Sequence, residues 1–286
     1  VVLRILDRSA VVFDYAKLGL APAVIGKLET ALDLPNGIVL VTGPTGSGKT
    51  TTLYTALATL NDPARKILTV EDPVEYVLDG VNQVQVKPEI GLTFASALRS
   101  FLRQDPDIMM IGEIRDLETA QIAVQAALTG HLVLSTVHTN DAASAITRLL
   151  DMGIEDYLLS STINGVLAQR LVRRLCPACR TAYAPPADLA GRLGMAALAE
   201  GRPIVLHHPG ACTECNATGY RGRTMILELM LNADPIRALV MRHAEAREIQ
   251  AEAARGGMQT MYAHGLRKAL AGETTVEEVI RVTRDA

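Results

Sequence analysis

The chain is expected to be an α/β protein whose parallel sheet is covered by helices on both faces. Three observations predict this. The runs 38–41, 66–70, Ile108–Ile111 and Leu132–Val137 are short and dominated by apolar residues, as strands buried on both sides must be. Stretches of helical character separate them, the alternation that places crossover helices over a parallel sheet. Apolar residues make up 49% of 286 residues while aromatics are only 3% and Trp is absent, so a large core must be built from aliphatic side chains and Met.

Taken in order, Val1 to Asp7 is strand-like from its first residue, with no starting Met or leader, so an upstream portion is expected to be missing. Residues 7–19 read as a connector of mixed polarity. A helix is expected over 21–32, ended by Pro35-Asn36-Gly37. Strand 38–41 leads through a Gly-rich loop to a helix over 51–60. Strand 66–70 follows, then a short edge strand over 81–86. Phe94, Ala97, Leu98, Phe101 and Leu102 fall at helical spacing and predict a helix over 94–103. Strand Ile108–Ile111, helix Leu117–Leu128, strand Leu132–Val137 and a helix over 142–152 continue the alternation. Composition changes near Leu175, where two Cys pairs bracket a stretch rich in Ala, Pro and Gly. After Arg223 the chain reads as helical, over 235–242, 244–255, 261–271 and 276–282, the last opened by a Thr274-Thr275-Val276-Glu277 cap.

The formal net charge of −3 argues against attraction of the whole surface to DNA or anionic lipid. No apolar run approaches the ~18 residues of a membrane span, and no signal segment opens the chain. A cytoplasmic protein that reaches a membrane only through partners is expected.

Gly43, Pro44, Thr45, Gly46, Ser47, Gly48, Lys49 and Thr50 fit G-x-x-x-x-G-K-S/T, the phosphate-binding loop of nucleoside triphosphatases. Glycines let successive backbone N–H groups turn toward a β-phosphate. Lys49 reaches β/γ oxygens, the Thr50 hydroxyl ligates magnesium, and Thr51 opens the helix whose N-terminus completes the anion site. ATP and magnesium are therefore the expected ligands. Glu113 ends an apolar strand, and strand C-termini face the ligand crevice of a parallel sheet. It would hold magnesium through water or orient the attacking water. Glu71, Asp72 and Glu75 crowd another strand end and suit magnesium or general-base work. His138 ends the strand Leu132–Val137 on the ligand side and would sense the γ-phosphate or bridge to an acid; His131 lies at the opposite end. Arg99 and Arg103, four apart on one helical face, are either a solvated stripe or a positive edge facing a neighbouring subunit.

Cys176-x-x-Cys179 and Cys212-x-x-Cys215, with 32 residues between the pairs, predict tetrahedral thiolate ligation of zinc. The gap exceeds the commonest ribbon spacing, so an insertion should lie between the knuckles. A redox pair is the rival, but both pairs sit in Pro/Gly-rich loops rather than after a strand. Without an open coordination position the metal would stabilise the fold, not catalyse.

These elements in this order resemble the secretion and type IV pilus ATPases over essentially the whole chain. Gly43 to Thr50 is similar to the family's Walker A, 68–75 to its Asp box, 108–113 to its Walker B with Glu113 in place of the usual Asp, and 128–140 to its His box. The zinc module points to the assembly ATPases, since retraction ATPases lack it. Gly165 to Arg173, Gly219 to Arg223 and Glu277 to Arg284 are similar to the type II secretion (GspE) group rather than the pilus-extension (PilB) group.

The resemblance implies a RecA-like P-loop NTPase core, a four-cysteine zinc-binding insertion and a helical C-terminal subdomain. Their expected bounds are 1–18 for the last strand of a preceding domain plus linker, then 19–174, 175–223 and 224–286. It implies a homo-hexamer docked on the cytoplasmic domains of inner-membrane platform proteins, with ATP hydrolysis driving pseudopilus assembly and export. Arg4 matches an arginine that the preceding domain extends toward the nucleotide. Its partner arginine would lie upstream, so this piece is expected to bind ATP better than it hydrolyses it. The implied catalytic set is Lys49, Glu113, Glu71, Arg4 and His138. A nucleic-acid translocase on the same core would need stacking aromatics and a basic pore, which this composition disfavours. A non-hydrolysing nucleotide scaffold is disfavoured by the intact Lys49, Thr50 and Glu113.

Overall fold

A computed structural model describes residues 13–283. Helix α1 (Tyr15–Leu18) is a single turn, placed where only a connector was expected, and α2 (Pro22–Leu32) follows it. Strand β1 (Gly37–Thr42) leads through the Gly-rich loop into α3 (Lys49–Leu60). Strands β2 (Ile67–Glu71) and β3 (Asn82–Gln85), helix α4 (Phe94–Phe101), strand β4 (Ile108–Ile111), helix α5 (Leu117–Leu128), strand β5 (Leu132–Val137) and helix α6 (Ala142–Asp151) complete the alternating part. Helix α7 (Asp156–Thr162) then runs directly into a long strand, β6 (Ile163–Leu175).

The main sheet has the order β3-β2-β4-β5-β1-β6, with every neighbouring pair parallel. Side-chain alternation divides β1 between two cores. Ile38 and Leu40 enter the cluster under α4, α5 and α6, while Val39 and Val41 enter the cluster under α2 and α3. All six β1 residues are buried, which is why the sequence shows a continuous apolar run and no polar face. Local signals set the helix starts. Thr93 and Ser96 form a reciprocal capping box on α4, Asp116 accepts from Thr119 N (2.8 Å) ahead of α5, and Asp141 accepts from Ser144 N (2.7 Å) ahead of α6.

One expectation is corrected. The stretch after Arg223 is not helical at its start, because Tyr220–Leu231 is a single strand that pairs antiparallel with β6 and ends the main sheet on that side. Its residues 224–230 are all buried, and the segment earns its place through pairing with a strand some fifty residues earlier rather than through local periodicity. Between these two strands lies the cysteine module. It contains β7 (Thr181–Tyr183), α8 (Ala187–Arg192), α9 (Met195–Ala199) and β8 (Leu206–His208), the expected insertion, with β7 and β8 forming a separate hairpin-like pair. The long strand after it is β9. Helices α10 (Asp234–Met241), α11 (Ala246–Arg255), α12 (Met261–Leu270) and α13 (Val276–Thr283) close the chain, and a third small core joins α9, α12 and α13. Among the described residues no helix is long and apolar enough to cross a membrane.

Candidate nucleotide and metal sites

The C-terminal ends of β1, β2, β4 and β5 open on one cleft of about 540 Å³. Its lining includes Thr45, Gly46, Gly48, Lys49, Thr50 and Thr51 from the loop and α3, Glu71 and Asp72 from the end of β2, Glu113 and Arg115 after β4, and His138 after β5. The loop keeps its shape by close packing. Gly43 has φ +146°, and a Cβ there would lie 2.4 Å from the carbonyl oxygen of Gln169 and 2.6 Å from Ser47 Oγ. Lys49 Nζ donates to the carbonyls of Gly43 (2.8 Å) and Pro44 (3.1 Å). Burial holds the Lys49 ammonium below its usual range, opposed by the charge of Glu113. The Thr50 hydroxyl lines the cleft and takes no protein hydrogen bond among the described residues, a donor set that fits magnesium.

Glu113 is held from two sides. Its Oε1 pairs with Arg115, and its Oε2 lies 3.2 Å from His138 Nε2. Burial would push this carboxyl up, but the hydrogen bonds and charges of Arg115 and His138 outweigh it and keep it below the usual carboxylate range. Glu71 is 2% exposed and its oxygens are already engaged. Oε1 accepts from Thr69 Oγ1 (2.5 Å) and Gln83 Nε2 (3.0 Å), while Oε2 accepts from the Tyr54 hydroxyl. Desolvation, then the Glu71 bond, raises the Tyr54 phenol strongly. Glu71 thus lies beside the cleft as the hub of a buried network. Asp72 and Glu75 also line the cleft. His131 is remote from it and bonds to the Ala126 carbonyl at the end of α5. Arg99 pairs with Glu118 of the same chain. Arg4 lies outside the described residues.

Sequence reasoning missed Arg115, which pairs with Glu113 at the cleft, and it missed Gln169. Gln169 of β6 is fully buried; its Nε2 donates to the Ser47 carbonyl (2.8 Å) and its Oε1 accepts from Thr52 Oγ1 (2.8 Å). It fastens both ends of the loop's last turn to the neighbouring strand. The signal was the polar pair Gln169-Arg170 inside the otherwise apolar stretch 166–172, visible only once that stretch is known to be a strand.

The cysteine knuckles converge, although Cys176 directly follows β6 and so the first pair, contrary to expectation, does come after a strand. The four Sγ atoms lie within 4.8 Å of one another, with Cys176–Cys212 and Cys179–Cys215 at 3.8 Å and Cys212–Cys215 at 3.7 Å. Zinc–thiolate bonds of about 2.3 Å in a tetrahedron require sulfur–sulfur edges of about 3.8 Å. The four cysteines are free thiols rather than disulfides. Gly219, at φ +75°, directs its N–H to Cys215 Sγ at 3.2 Å, the kind of outer hydrogen bond that favours a thiolate. The donor set fits a closed four-thiolate zinc site.

Comparison with known proteins agrees with this fold. The family described as Type II/IV secretion system protein matches residues 1–281. The chain is 60% identical over 286 residues to Type II secretion system protein E of Xanthomonas campestris pv. campestris, covering 100% of this chain and 50% of that protein. It is 51% identical to Type II secretion system ATPase E of Vibrio cholerae, over 100% of this chain and 56% of the relative. It is 52% identical to the type IV pilus assembly ATPase PilB of Myxococcus xanthus, over 98% and 50%. The chain therefore spans about half the length of the curated relatives it matches. Among solved structures, the pilus retraction motor PilT with bound ADP superposes with a TM-score of 0.72 at 30% identity, covering 98% of this chain and 68% of that one. The Legionella pneumophila ATPase DotB, at 24% identity and TM-score 0.68 over 95% and 65%, shares the fold. The chain belongs to the Type II/IV secretion system protein family.

Proposed function

We propose that this chain is the motor portion of a type II secretion ATPase, hydrolysing ATP to drive pseudopilus assembly and protein export. The observation that carries the reading is the placement of Glu113, poised by Arg115 and His138, across the cleft from Lys49 and the phosphate loop. Lys49 would release the loop carbonyls and neutralise the β/γ oxygens. Magnesium, held by the Thr50 hydroxyl, would supply charge stabilisation there.

A carboxylate kept below the usual range stays ionised and is a weak proton acceptor, so Glu113 orients the attacking water by accepting its hydrogen bond more than it deprotonates it. Both its oxygens already carry donors, so one must give way; the Arg115 side chain, 63% exposed, is the freer of the two. His138 then links Glu113 to γ-phosphate occupancy. Glu71 acts by holding Tyr54 and the β2 end in place. Arg4 would complete the charge stabilisation. In this reading the cysteines bind zinc as a brace, the working form is a homo-hexamer in the cytoplasm, and the platform proteins of the inner membrane are its partners.

The test is Glu113→Gln in the full-length protein. ATP affinity should stay within about threefold while turnover falls about 10²–10³-fold; unchanged turnover overturns the assignment. The similarity to PilB favours pilus extension as a second reading. Deleting the gene separates the two: lost export with intact pili supports secretion, and lost pili with intact export supports extension.

A further inference from the structure

A second cavity, about 550 Å³, is lined by no residue of the phosphate loop. It is walled by the α1–α2 turn, the outer ends of β6 and β9, and α12. Its size falls within the range of small-molecule sites. Its charge is lopsided. Lys17, Arg174, Arg223, Arg267 and Lys268 line it, against the single acid Glu273. Glu273 is taken by Lys268 at 3.1 Å, a bond that Thr224 Oγ1 shares. That leaves four cations facing one space, with no acidic partner among the described residues.

Two further observations sharpen the chemistry. His264 contributes no charge, because burial and then the Lys268 charge lower it to about 4, and its Nδ1 receives the Leu227 N–H at 3.0 Å. Gln259 Nε2, also on the lining, is buried with no acceptor. A donor withdrawn from water with nothing to donate to is costly unless something supplies an oxygen. A concave wall of one sign, with low-dielectric sides, concentrates ions of the other.

We propose that this cavity is a phosphate-group binding site separate from the ATP cleft, taking a small phosphorylated anion. The four cations would share its oxygens through charge-assisted hydrogen bonds, and Gln259 would donate to one of them. The cavity contains no residue of the phosphate loop. Arg223 alone lines both spaces, so an occupant here would draw that side chain away from the ATP cleft.

The experiment uses full-length protein whose phosphate loop is first saturated with ADP and magnesium. Calorimetric titration with pyrophosphate should reveal one additional site per chain that weakens with added salt. A parallel arm measures binding to phosphatidylcholine vesicles with and without phosphatidylglycerol. Response to pyrophosphate identifies a free phosphate ligand, and response to the anionic vesicles alone identifies a lipid headgroup. Arg174→Glu combined with Arg267→Glu should weaken the responding probe about tenfold or more while ATP affinity stays unchanged. Lys17→Glu, on an exposed single turn, should weaken it about threefold and serves where the double variant fails to fold. No additional site for either probe, or a site that survives these substitutions, overturns the proposal.

Discussion

Gln169→Leu is the sharpest available test of how the phosphate loop is held. Leu has nearly the volume of Gln, so packing is kept while two hydrogen bonds are removed. The Ser47 carbonyl and the Thr52 hydroxyl lose partners at 2.8 Å each, in a place where Gln169 is 0% exposed. Leaving each unpaired costs about 1–3 kcal/mol, and burying an aliphatic side chain instead returns about 1.5–3 kcal/mol. Taking the middle of each range, the net loss is about 2 kcal/mol, a fall in Tm of about 4 °C at roughly 2 °C per kcal/mol for a chain this long.

The functional effect should exceed the stability effect. The loop's N–H groups bind phosphate only when pre-arranged, so ATP affinity should fall about tenfold. Thermal melts and fluorescent-nucleotide titration measure the two quantities. Gln169→Glu is the control. It keeps the acceptor for Thr52 but removes the donor and places a carboxylate beside the triphosphate, so it should bind ATP more weakly than the Leu variant. A folded Leu variant with unchanged ATP affinity, or a Glu variant that binds better than the Leu variant, refutes the reasoning.

Three other outcomes are expected. Gly43→Ala forces a Cβ to within 2.4 Å of a backbone oxygen at a positive φ, so ATP affinity should drop at least about tenfold in the same titration. Purified protein should contain about one zinc per chain by elemental analysis, and Cys176→Ser with Cys215→Ser should remove it and lower the Tm by several degrees; folded protein without zinc refutes the site. His264 has a folded-state value of about 4 against 6.5 for the free side chain, so the unfolded chain binds its proton first as pH falls. Stability from this residue is complete above pH 6.5 and declines to about pH 4, by roughly 3 kcal/mol in all. Denaturant titrations across that range should show the loss in the native chain and a flatter profile in His264→Gln.

The centre of the parallel sheet was legible because β1, β2, β4 and β5 are buried along their whole length and the helices between them carry a cap or a period. Glu113 and His138 could be placed beside Lys49 from strand ends alone. The ribbon was not legible. β6 leaves α7 without a turn, mixes Asn164, Gln169 and Arg170 among apolar residues, and lies half in the sheet and half beyond it. No single periodicity describes such a strand. Its partner arrives only after the cysteine module, so neither strand is visible without the other. The same blindness hid Gln169 and left Glu71 looking like a free acid, because Tyr54, Thr69 and Gln83 reach it from three different elements.

The ribbon has a mechanical consequence. Beyond Ala168, its last residue paired with β1, β6 continues to Leu175 and meets the cysteine cluster at once. Seven residues of strand at about 3.3 Å each make an arm of about 23 Å, anchored by Gln169 at one end and the cysteine cluster at the other. A tilt of about 10° at the anchored end displaces the tip by about 4 Å on this geometry. With β9 alongside as a second rail, the arm resists twisting, and a shift too small to disturb the phosphate loop's hydrogen bonds becomes a full side-chain width at the far end.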